Sequence, residues 1–161
     1  MQSKFLSTCM ELFSIVFLLL ILYPLLSYGA LEGVPVPMHF DIRGNVDSWS
    51  SRESLIVISA TGIVIYGILS ACQRYPGLVN LPKNGSLVTP EQRNRTARSY
   101  ALLLKTWIMV LFAFISLSTY RIAIGEEQKL NVIFLSGILL CLLASVVIIL
   151  LSFKNKPESQ S

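Results

Sequence analysis

The stretch Leu130–Phe153, LNVIFLSGILLCLLASVVIILLSF, decides the class of this protein. It carries no charged residue. It is also long enough to cross the hydrocarbon core of a bilayer, which takes about 17–25 mainly apolar residues in a helix. Three more blocks of the same kind precede it: Leu12–Tyr28, Ser54–Ala71 and Ala101–Tyr120. Charged residues make up only 14% of the 161 positions and mean hydropathy is +0.65. A soluble domain carries roughly 25% charged residues. Here the charges fall almost entirely between the apolar blocks. The sequence therefore predicts an all-α integral membrane protein with four transmembrane helices and an extracytoplasmic loop between helices 1 and 2. Residues 1–161 form a single four-helix domain without internal repeat, and the segment 154–161 is a polar tail.

Pro24 falls inside the first block. A proline is tolerated in a spanning helix when neighbours satisfy the carbonyl it frees, and a kink is expected there. A cleaved signal peptide is the competing reading, with Lys4 before the apolar run and Gly29 or Ala30 at a cleavage site. The run exceeds the usual apolar length of about 7–15 residues for such a peptide, and Tyr28 fits its small-residue site poorly. A retained helix is the preferred reading.

Lys and Arg set the orientation, because cytoplasmic segments are enriched in them. Lys4, Arg74, Lys83, Arg93, Arg95, Arg98, Lys105, Lys154 and Lys156 fall on one side; Arg43, Arg52, Arg121 and Lys129 fall on the other. The first side should be cytoplasmic, with both termini on it, in a multi-pass protein of a bacterial inner membrane. The net charge of +4 then reflects topology and contact with anionic lipid. It gives no support for nucleic acid as a partner. Arg93, Arg95 and Arg98 are expected at the lipid headgroups, with Lys105 about two turns further in and snorkelling back to them.

Two helix starts are written in the loops. Ser50-Ser51-Arg52-Glu53 matches a capping box with Ser50 as N-cap. Thr89-Pro90-Glu91-Gln92 matches another, with proline at the first helical position. Residues 72–100 form the inner loop, with irregular backbone at Asn80, Pro82, Asn84 and Gly85. Small residues four apart mark two possible packing faces, Gly67/Ala71 and Gly137/Cys141/Ser145. Cys9, Cys72 and Cys141 lie in or near helices, outside the outer loops, so a disulfide framework is not expected.

Polar detail concentrates in the outer loop, residues 29–53. Pro35 and Pro37 favour an extended entry, and Arg43-Gly44-Asn45 reads as a turn. His39 is the sole histidine of the chain. No nucleophile elbow, phosphate-binding glycine loop or zinc-protease motif occurs, and the spans offer almost no ionisable group beyond Lys105. An enzyme or a coupled transporter is therefore not expected. His39, Asp41 and Asp47, with Glu32 nearby, could converge on a divalent metal ion. Equally, Asp41 and Asp47 could make local side-chain-to-backbone bonds that shape the loop, or His39 could sense pH. Otherwise no cofactor is expected.

Pro37-Met38-His39-Phe40, followed by Gly44, Asp47, Trp49, Ser51 and Arg52, resembles a bacterial membrane module with a Pro-x-His-Phe loop. That module is found at the N-terminus of SdpI-like immunity proteins. Arg74-Tyr75-Pro76, Asn80, Pro82, Thr89, Glu91, Arg93 and Tyr100 resemble it too, so the likeness covers about residues 30–105. Arg52 stands where a lysine is common in that pattern. The second module of the SdpI type, with its Gly-x-Arg-Thr-like stretch, is absent; this chain has Thr119-Tyr120-Arg121. The resemblance implies a membrane protein that protects against a secreted toxic peptide or signals by holding a cytosolic repressor at the membrane.

The reading that results is a non-enzymatic binding protein. Its binding loop comprises Pro37, His39, Phe40, Asp41, Gly44, Asp47, Trp49 and Arg52. Its partners are the lipid bilayer and an extracytoplasmic peptide or a membrane or cytosolic protein. An outward-facing metal-binding protein or metal-dependent membrane enzyme, with His39, Asp41 and Asp47 as ligands, and a structural subunit of a larger membrane complex packing through the Gly137 face are the alternatives.

Overall fold

The computed structural model describes residues 2–79 and 89–154. The inner-loop residues Asn80, Pro82, Lys83, Asn84 and Gly85 and the tail from 155 onward lie outside the described residues. Four long helices dominate the rest: α1 (Gln2–Leu22), α2 (Glu53–Arg74), α3 (Pro90–Ala123) and α4 (Val132–Lys154). All four are long and apolar enough to span, the first as Phe5–Leu31 because a 3-10 helix, Tyr23–Leu31, continues it. The chain is an all-α, four-helix, multi-pass membrane protein.

α3 is the central helix: α1, α2 and α4 all pack against it, and α1 also touches α2. It is 34 residues long, or roughly 50 Å at about 1.5 Å per residue, against a hydrocarbon core of about 30 Å. The helix is therefore longer than the core is thick. Arg93, Arg95 and Arg98 lie in its first turns, and Arg95 lies 4.0 Å from Glu91 one turn back. The Thr89 cap is present in full. Its hydroxyl accepts from the Gln92 amide, and the Gln92 side chain accepts from the Thr89 amide.

Pro24 changes the helix type where a bend was expected. The chain passes from α to 3-10 geometry at Tyr23. In 3-10 geometry residue 24 would donate to the carbonyl of Ile21, and proline has no N–H to give. Two serines meet that need: Ser59 of α2 and Ser116 of α3 donate to the Ile21 oxygen at 3.2 and 3.0 Å. One backbone oxygen of α1 thus ties three helices together. Ile21 is also the centre of the apolar core, packed with Met109 and Ala113. A side chain at Gly62 would press on Ile21 at 3.1 Å, so the close helix approach falls at Gly62. The Gly67 and Gly137 positions named from spacing have open space around them.

The outer loop contains strands that the sequence reading missed. β1 (Val36–Phe40) and β2 (Val46–Ser50) form an antiparallel hairpin. Ser50 is its last residue, paired with Val36, so it cannot cap α2. The helix begins at Glu53, preceded by Arg52 without a side-chain cap. A second core cluster of Leu31, Val36 and Leu55, flanked by Tyr120 and Ala123, seats the base of the hairpin on the helix ends.

Candidate functional sites at the two ends of the bundle

The hairpin begins with Val36 and Pro37 fully buried. Its register then slips twice: Pro37 pairs with Trp49, His39 with Ser48, and Phe40 with Val46. Met38 is the extra residue on one strand and Asp47 on the other. These bulges re-aim side chains. They bring His39 Nδ1 to 2.6 Å from Asp47 Oδ1. Both groups are exposed.

The turn is built on Asp41. Its carboxylate accepts from the backbone amides of Arg43 and Asn45, both at 2.8 Å, and from the Asn45 side chain at 2.9 Å. These bonds, those to Asn45 foremost, hold the Asp41 carboxyl below the usual aspartate value. Gly44 adopts φ +84, and its carbonyl accepts from the Leu130 amide at 2.8 Å. The hairpin tip is therefore fastened to the segment that enters α4. A Cβ on Gly44 would collide with the Leu130 carbonyl oxygen.

Besides Phe40, which is half-buried on β1, the expected loop residues divide into three sets. His39, Asp47 and Trp49 lie on the exposed surface, joined there by Met38 and by Ile42, which is 95% exposed. Pro37, Asp41 and Gly44 build the scaffold. Arg52 sits at the base, its guanidinium 4.5 Å over the Tyr28 ring, donating to the Tyr28 carbonyl at 3.3 Å and lying 3.6 Å from Glu32. The expected metal set is not brought together, because Asp41 spends its oxygens on the turn. No group of three His, Cys, Asp or Glu side chains among the described residues is placed to hold one ion.

At the opposite end of the bundle lies a cluster the sequence did not announce. Lys105 does not snorkel to the headgroups; its side chain is 1% exposed. The ammonium lies 2.7 and 2.9 Å from the two Glu11 oxygens, 2.7 Å from Gln73 Oε1 and 3.3 Å from Ser70 Oγ. It also sits 4.9 Å from the centre of the Tyr66 ring. Tyr66 and Gln73 donate in turn to Glu11 at 3.2 and 3.1 Å. Three helices contribute: Glu11 from α1, Tyr66, Ser70 and Gln73 from α2, Lys105 from α3. A charge in a span that faces the bundle interior needs a partner there. Glu11 lies one residue ahead of the apolar block Leu12–Tyr28, yet helix α1 runs through it. A carboxylate just ahead of an apolar run, with one lysine inside another span, was the available signal.

No family model matches this chain, and no solved structure matches it. It is similar to an uncharacterized protein of Archaeoglobus fulgidus, 29% identical over 126 residues, covering 70% of this chain and 68% of that one.

Proposed function

We propose that this protein is a non-enzymatic binding protein of the cell membrane, with both termini cytoplasmic, whose hairpin meets an extracytoplasmic peptide or protein. The observation that carries the reading is the hairpin itself. Its base is buried in the Leu31/Val36/Leu55 cluster, its tip is bonded to Leu130, and between them it displays Met38, His39, Ile42 and Trp49 to the outside. Holding a surface rigid before binding lowers the ordering cost of association. Aromatic and methionine side chains are over-represented where partners dock. The likeness of residues 30–105 to the Pro-x-His-Phe module supports an immunity or membrane-signalling role within that class. The Lys/Arg asymmetry supports the orientation.

The test is capture. The intact protein, extracted gently from its native membrane, is compared with a His39→Ala/Asp47→Ala variant that inserts to the same level. A peptide or protein that accompanies the parent and is lost from the variant is the expected result. An unchanged set of companions, or none with either chain, overturns recognition by these residues.

A further inference from the structure

A second feature of the hairpin points to a different kind of ligand. Between the hairpin and the outer flank of α3 and α4 runs a groove of about 450 Å³. That is within the range of small-molecule sites, about 300–1,000 Å³. Its floor is Ile115 of α3 with Leu135 and Ser136 of α4, all inside segments that span. Its other wall is Met38, His39, Phe40, Asp41 and Ile42 of the hairpin, outside those segments. The groove therefore straddles the boundary between hydrocarbon and headgroup. Whatever fills it must be apolar at one end and polar at the other.

The apolar end leads into the lipid-facing surface. Leu139 and Leu143 continue the line of Leu135 at four-residue spacing on α4, and both are exposed. Residues four apart lie one above the other on a helix, so they form a track running from the groove down the bundle. Two cations adjoin the lining in sequence. Arg43 follows the lining residue Ile42, Lys129 precedes the lining residue Leu130, and the Gly44–Leu130 bond holds the two segments together. Neither makes an ion pair within 4.0 Å among the described residues. The Asp41 carboxylate near Arg43 is already engaged by backbone amides.

From this continuity with the membrane-facing surface, and from the two cations next in sequence to its lining residues, we infer that the groove is a binding site for a membrane phospholipid. One acyl chain lies between α3 and α4 along Leu135, Leu139 and Leu143, and the phosphate is met by Arg43 and Lys129. The groove shares Met38, His39 and Ile42 with the proposed recognition surface, so the two readings are separated by variants at Ser136, Arg43 and Lys129, which that surface does not include.

The experiment uses the full chain in vesicles of phosphatidylethanolamine and phosphatidylglycerol. A trace of phospholipid carries a photoreactive group at the end of one acyl chain. After illumination, label should concentrate on the peptides containing Ile115 and Leu135, and Ser136→Trp, which fills the groove, should reduce it several-fold there and nowhere else. Because a bulky residue could disturb folding, Arg43→Gln with Lys129→Gln provides a second arm. These changes leave the groove intact and should lower the phospholipid retained by the intact protein in native mass spectrometry. Label spread evenly over all four helices and insensitive to Ser136→Trp, or lipid retention unchanged by the two glutamines, would mean ordinary surrounding lipid and overturn the site. A polypeptide found seated in the groove would overturn it as well.

Discussion

Gly44 and Lys105 are the two residues whose replacement should matter most, for opposite reasons. Gly44 is needed for having no side chain: its φ of +84 and its contact with the Leu130 carbonyl leave no room for one. A left-handed conformation costs a residue with a Cβ about 1–2 kcal/mol before any collision. Gly44→Ala should therefore release the hairpin tip from α4 while leaving the helices in place. Faster hydrogen exchange at the Leu130 amide, with unchanged helical circular dichroism, is the measurement. Protection equal to the parent's would show that the tip bond is dispensable. Lys105 is needed for its charge. Removing one partner of a buried ion pair costs about 3–5 kcal/mol, and the lower end applies because Glu11 is 33% exposed. Lys105→Met should thus destabilise by about 3 kcal/mol, and adding Glu11→Leu should recover most of it. Denaturation of the single and double variants in detergent decides this: a double variant as weak as Lys105→Met would mean that the hydrogen bonds to Gln73 and Ser70 matter more than the charge pair.

At the scale of elements, the helices were legible and the strands were not. An apolar block has the length of a span written into it, and Thr89 with Gln92 wrote the start of α3. The hairpin strands are five residues each, one holds Pro37, and two bulges break the alternation that would have revealed them. Only the turn at Arg43-Gly44-Asn45 was visible, because glycine and asparagine have a local signature. The same locality misled at Ser50, where a capping-box pattern lost to strand pairing. Since the turn rests on Asp41, it should respond to acid. The folded-state value of Asp41 is depressed, so its support is fully present above the unfolded-state value, about 4, and is lost as pH falls through the folded value. Trp49 fluorescence in the intact protein should change in that window, and an Asp41→Asn variant should show no such change. A transition of the same size in both would assign it to another carboxylate.

On the scale of the whole molecule, four spans and their order follow from composition and spacing. How they pack does not, because it depends on pairs far apart in the chain. Ser116 meets Ile21 across 95 residues and Glu11 meets Lys105 across 94; no window of sequence contains both partners. The candidate hairpin surface could be named in advance since its residues are contiguous, whereas the groove beneath it needed α3 and α4 in place. One consequence concerns biogenesis. Glu11 is synthesised and offered to the membrane long before Lys105 exists, so the first helix carries an unmatched anion throughout the insertion of the second. Only arrival of the third helix neutralises it. A chain interrupted after the second helix and before residue 105 therefore holds a carboxylate with no cation to match it, and only the Tyr66 and Gln73 side chains to donate to it.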